Sequence, residues 1–116
     1  MSLNDEFDAA AGFIVSLAEH NGSYAAAFKN LLDWVSRKEK KIFREKPLLL
    51  LATSPGGRGA ASVLGTAALT FPHFGANVTG SFSLPSFNDN FKEDRIINSD
   101  FSSELAKLVE AFEKEV

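Results

Sequence analysis

LLLLATSPGGRGAAS, residues 48–62, opens on four leucines and closes on small residues, with Ser54-Pro55-Gly56-Gly57-Arg58-Gly59 between them. Four consecutive leucines bury both faces of an extended segment, as strands inside a parallel sheet do. The glycines end that strand, and a helical pattern begins at Ala60. A buried strand that passes through a glycine loop into a helix is a βα unit, and its repetition along a chain signals a parallel sheet with helical cover.

The unit recurs on both sides. Upstream, GFIVSLA at 12–18 is short, apolar and partly β-branched, and it predicts a strand buried on both faces. EHNGS follows, with Asn21-Gly22 as turn formers and Ser23 as the expected helix N-cap. From Tyr24 the spacing is helical, with Ala27, Phe28, Leu31, Leu32 and Val35 on one face. RKEKKIFREK at 37–46 reads as a solvated connection. Six of its ten residues are basic, but Glu39 and Glu45 interrupt the run and no aromatic stacking platform accompanies it. Residues 5–10 read as the end of a helix or as a loop. Downstream, 60–74 predicts a helix disturbed by Pro72 and ended by Gly75. Residues 76–85 predict a third strand and 86–100 a polar loop. Ser102 or Ser103 is expected to cap a last helix with Leu105, Leu108, Val109 and Phe112 inward. The order β-α-β-α-β-α, with right-handed crossovers, places three strands side by side in one domain over 1–116.

The 116 residues are 45% apolar, enough for one modest core and too apolar for disorder. A net charge of −3 points away from nucleic acid and anionic membranes as main partners. The chain has no cysteine, hence no disulfide or thiolate metal site, and no metal site is expected. The apolar run 47–52 is too short to span a bilayer, and no signal-peptide pattern opens the chain. A cytoplasmic protein is the expectation.

In open parallel sheets ligands sit at the carboxyl ends of strands. Two loops qualify, 19–23 and 54–59. Their glycines allow close backbone approach, and each leads into a helix N-terminus whose N–H groups favour electron-rich atoms. Such loops suit a flavin ring, a phosphate or a nucleobase, or serve only as tight turns. SPGGRG is not a Walker loop, since no Gly-Lys-Ser/Thr follows, and not a Rossmann fingerprint, since Ser62 stands at the third small position.

AEHNGSYAAAFKNLLDWVSR at 18–37 resembles the segment of NADPH-dependent FMN reductases that usually reads Pro-Glu-Tyr-Asn-Gly-Ser before a helix ending Leu-Lys-Asn-Ala-Leu-Asp-Trp. KPLLLLATSPGGRGA at 46–60 resembles the fourth strand and Ser-Pro-Gly-Gly loop of that family, and HFGANV at 73–78 the start of its fifth strand. The resemblance implies a flavodoxin-like, three-layer α/β fold of strand order 2-1-3-4-5, here with strands 3, 4 and 5 and without strands 1 and 2. It implies FMN as cofactor and NAD(P)H as co-substrate, with electrons passed to flavins, quinones, azo dyes or metal oxyanions. It sets Glu19, His20, Asn21 and Gly22 beside the isoalloxazine ring, with Ser54, Gly56 and Gly57 near the same ring. The helix 24–37 becomes part of a subunit interface. Arg58 either reaches the NADPH 2′-phosphate, screens the reduced flavin, or stays solvated.

Two residues depart from the family pattern. Ala18 replaces its usual proline and His20 its usual tyrosine, so His20 either stacks on a flavin or faces solvent. His73 reads as a capping or surface residue. Hydride transfer needs no side-chain acid, base or nucleophile, and none is nominated. The phosphate-holding loop of the family has no counterpart in these residues, so FMN binding by this chain alone is expected to be weak or absent. The apolar strand 13–18 would then form a bare edge, and a homodimer or tetramer is expected. The alternative is a non-catalytic assembly or electron-transfer module on the same frame.

Overall fold

The computed structural model describes residues 2–116. Helix α1 (Leu3–Ala9) starts in a capping box in which the Ser2 hydroxyl accepts from the Asp5 N–H and the Asp5 carboxylate accepts from the Ser2 N–H. The Ser2 backbone N–H, and next its hydroxyl, hold the Asp5 carboxyl below its ordinary pKa. Strand β1 (Phe13–Leu17) leads into a small hairpin, β2 (Glu19–His20) and β3 (Ser23–Tyr24), and then α2 (Ala26–Lys38). Strand β4 (Pro47–Thr53) precedes α3 (Ala61–Thr70), whose end tightens into a 3₁₀ turn, Phe71–Phe74, closed by left-handed Gly75. The disturbance expected at Pro72 is that 3₁₀ turn. Strand β5 (Asn77–Leu84), a short helix α4 (Phe87–Asn90), a hairpin of β6 (Phe91–Lys92) and β7 (Arg95–Ile96), and α5 (Ser99–Glu115) complete the chain.

The main sheet has order β1-β4-β5 and is parallel throughout. Phe13 lies opposite Leu48 and Leu17 opposite Ala52, and the β4–β5 pairing shifts register between Leu48 and Leu49. Leu48, Leu49 and Leu50 are fully buried, as expected of a strand inside the sheet, while Leu51 is half-buried. The core cluster draws on α2, α3 and the 3₁₀ turn on one side of the sheet, through Leu32, Val35, Val63, Ala67 and Phe71. On the other side Gly80 of β5 lies against Leu108 of α5.

Several expectations fail for physical reasons. Strand β1 is not buried on both faces: Ile14 is 56% exposed and Ser16 is exposed, because β1 is an edge strand whose Ile14–Ser16 face is only partly covered. Ser23 caps nothing. It pairs with His20 in the hairpin, and Ala25 stands at the N-cap of α2 without a side-chain bond. On α2 the burial falls on Leu32 and Val35, while Ala27 and Leu31 stay exposed. The last helix starts before Ser102: Asn98 caps it, its Oδ1 accepting from the N–H groups of Asp100 and Phe101 at 2.9 and 3.1 Å. The stretch 86–100 is structured, with the Phe87 and Phe91 rings stacked 5.0 Å apart beside the β6–β7 hairpin.

The basic connection is the largest correction. Ile42 and Phe43 sit in its middle and are each 2% exposed. The Phe43 ring lies 4.9 Å from Phe71, 5.4 Å from Phe13 and 6.1 Å from Phe7. The basic residues around it brace α1. Lys46 Nζ donates to the carbonyls of Phe7 and Asp8 at the helix C-terminus, where a cation complements the helix dipole. Arg44 reaches Asp8 at 2.8 Å and Asn4 Oδ1 at 2.8 Å. The charge run is therefore partly structural.

Candidate functional site

Both nominated loops lie at the carboxyl ends of strands, after β1 and after β4. In the first, Asn21 (φ 52°) and Gly22 (φ 81°) are both left-handed, the conformation that Asn-Gly favours in a two-residue hairpin. His20, Asn21 and Gly22 are exposed on it. Glu19 points back toward the body: its Oε1 accepts from the Val63 N–H in the first turn of α3 at 2.7 Å.

The second loop is shaped by its own carbonyls. The Ser54 carbonyl accepts from the Phe87 N–H at 2.9 Å, and the Gly56 carbonyl accepts from the Ser86 N–H at 2.8 Å. The segment after β5 thus fastens the loop from behind, a part of the site that the sequence did not suggest. Gly59 is structural. It has φ 58°, and a Cβ there would collide with Ser83 Oγ and stand 2.9 Å from the Pro85 nitrogen. Gly56 and Gly57 differ. Neither has a positive φ, a Cβ on Gly57 would meet nothing within 4 Å, and one on Gly56 would meet only Ser54 Oγ at 3.9 Å. Nothing inside the chain requires glycine at these two exposed positions. What their missing Cβ atoms leave open is an approach from outside.

Ser54 is half-buried at the start of this loop and Arg58 is exposed at its end, where Arg58 Nη2 donates to Ser62 Oγ at 3.1 Å along the first turn of α3. The Glu19–Val63 bond joins the hairpin bearing His20, Asn21 and Gly22 to the helix that follows Ser54, Gly56, Gly57 and Arg58. On the α5 side of the sheet, Thr53, Phe82, Leu84, Phe87 and Leu105 line an apolar cleft of about 170 Å³ close to the second loop. Among the described residues, no three His, Cys, Asp or Glu side chains are grouped to hold a metal ion, and no helix is long and apolar enough to cross a membrane.

FerB, a flavoenzyme NAD(P)H:(acceptor) oxidoreductase from Paracoccus denitrificans, superposes with a TM-score of 0.75 at 22% identity, over 97% of this chain and 66% of its own. An oxidoreductase from Corynebacterium diphtheriae superposes with a TM-score of 0.74 at 17% identity, over 98% of this chain and 59% of its own. These establish a shared flavodoxin-like fold. A curated NAD(P)H-dependent FMN reductase of Pseudomonas aeruginosa is 35% identical over 57 residues, which are 49% of this chain and 31% of that protein. The chain spans under two thirds of either solved structure and about a third of the curated relative. A family model described as NADPH-dependent FMN reductase matches residues 1–89. The chain belongs to the NADPH-dependent FMN reductase family.

Proposed function

We propose that this chain supplies the ring-binding wall of an FMN site in an NAD(P)H-dependent oxidoreductase. The observation that carries the reading is the pair Gly56 and Gly57, exposed at the carboxyl end of a buried strand with no internal reason to be glycine. A flat ring needs that open approach, and backbone groups can then read its edge. Ser54 and the hairpin residues Glu19, His20, Asn21 and Gly22 belong to the same wall. When bound, the flavin supplies the hydride and electron transfer; the chain binds and orients it. A cytoplasmic location and self-association into a homodimer or tetramer are part of the proposal. Exposed Ile14 on β1, Trp34 on α2 and Leu69 on α3 are the apolar surfaces such an assembly would cover.

The chain alone is expected to bind the ring weakly and to gain nothing from the phosphate. Titration calorimetry with FMN and with riboflavin, which lacks the phosphate, checks this. Similar weak affinities are the expected result. An FMN affinity ten or more times that for riboflavin, roughly 1.4 kcal/mol, would reveal a phosphate site in these residues. Binding of neither would favour the non-catalytic assembly or electron-transfer module.

Arg58 bears on nucleotide choice. Its guanidinium is exposed and held to Ser62 by a single hydroxyl contact, so it can turn to a 2′-phosphate. In active protein, Arg58→Ala is expected to raise the KM for NADPH about tenfold and to leave that for NADH within about twofold. Equal changes for both nucleotides would leave Arg58 a solvated side chain.

A further inference from the structure

A glycine loop that runs into a helix ordinarily offers free backbone N–H groups and the positive end of the helix dipole to an anion. In α3 two of those donors, the Ala61 and Val63 N–H groups, are taken from within the protein, and the first helical bond follows at Leu64. The Val63 N–H donates to Glu19 Oε1 at 2.7 Å, the Ala61 N–H donates to the Arg58 carbonyl at 3.1 Å, and the Leu64 N–H donates to the Ala60 carbonyl at 3.2 Å. A carboxylate from the other loop therefore stands where a phosphate oxygen would stand. A phosphate brought to this helix would lose the Val63 donor and meet a like charge. The nearby cation is Arg58, whose exposed guanidinium is screened by solvent.

We propose that Glu19 is a specificity-determining positioning residue: its carboxylate takes the Val63 donor of the α3 N-terminus away from phosphate, pins the hairpin to α3 beside the second loop, and so reserves Gly56 and Gly57 for an uncharged ring face. This rests on the reading of that loop as ring-binding. The charge of the side chain and its reach across 44 residues of sequence both serve the selection, whereas a purely structural brace would need only a hydrogen-bond acceptor.

The test compares the full chain with Glu19→Ala and Glu19→Gln. Inorganic phosphate is titrated at constant ionic strength while the backbone amide resonances of residues 61–64 are followed, and amide exchange at Val63 is measured alongside. The wild-type chain is expected to show no saturable phosphate shift. Glu19→Ala is expected to lose Val63 protection and to bind phosphate saturably at residues 61–64, where the wild type does not. Glu19→Gln keeps an acceptor oxygen without the charge. It is expected to retain Val63 protection and to bind phosphate saturably, about twofold less tightly than Glu19→Ala. Absence of saturable phosphate binding in Glu19→Gln overturns the proposal, and this variant decides the matter if Glu19→Ala does not fold. Saturable phosphate binding by the wild type at 61–64 also overturns it. Failure of the ring reading is separate: it appears as a wild-type chain that binds no riboflavin.

Discussion

Phe43→Ala is expected to lower the unfolding free energy by about 3–5 kcal/mol, the range for truncating a fully buried phenylalanine. The side chain is 2% exposed, and its ring is the point where α1, β1 and the 3₁₀ turn after α3 meet, through Phe7, Phe13 and Phe71. Removing it opens a cavity among three other rings that are held by separate elements and cannot all collapse inward. Domains of this size are stable by only about 5–15 kcal/mol, so the variant should be marginal at room temperature. Urea denaturation followed by circular dichroism measures the change. Lys107→Ala on α5, where the side chain is exposed, is the control and should stay within about 0.5 kcal/mol. A loss below about 1.5 kcal/mol for Phe43→Ala would mean that the segment 39–46 is not anchored as described.

That anchor was hidden in the sequence by its neighbours. Ile42 and Phe43 are two apolar residues among ten, with no period to follow, and the charge around them reads as solvent-facing. Long-range partners decided otherwise, since Arg44 and Lys46 find the end of α1 some 40 residues earlier. The β4–loop–α3 unit was legible for the opposite reason. Four leucines bounded by Pro47 and a glycine loop suit a covered strand, and Pro72 and Gly75 mark a helix end by covalent constraint. Capping type alone does not place a cap: Ser23 and Ser102 are good capping residues, yet strand pairing claims the first and Asn98 pre-empts the second. The hairpin at 91–96 turns through Glu93 (φ 53°) and Asp94 (φ 62°) without a glycine, which removed the usual signal. In the site, the glycines and the Asn-Gly turn announced themselves. Glu19 gave its position but not its bond to Val63, because no local pattern encodes a partner 44 residues away.

Ile14→Lys is expected to weaken self-association by tenfold or more, about 1.4 kcal/mol, while leaving the fold of each chain intact. Ile14 lies on β1, which pairs with β4 on one side only, and it lines an apolar groove of about 200 Å³ with Leu3, Phe13, Phe28 and Leu31. β1 carries no charge and no proline, the features by which edge strands usually discourage pairing. Two copies related by a two-fold axis would pair β1 antiparallel to itself, extend the sheet and cover both grooves at once. In that arrangement a lysine near the axis meets its own counterpart, and like charges across paired strands are destabilising. In a free chain the same residue is more than half exposed, so its replacement should change stability by no more than about 0.5 kcal/mol. Sedimentation velocity at micromolar concentration separates the cases. A wild-type oligomer that becomes monomeric with Ile14→Lys, at unchanged thermal stability, places the interface at β1. Trp34→Ala tests the outer face of α2, where the ring is 66% exposed, as the rival contact. If Trp34→Ala dissociates the assembly and Ile14→Lys does not, the chains meet through their helices, and the β1 edge has no part in the association.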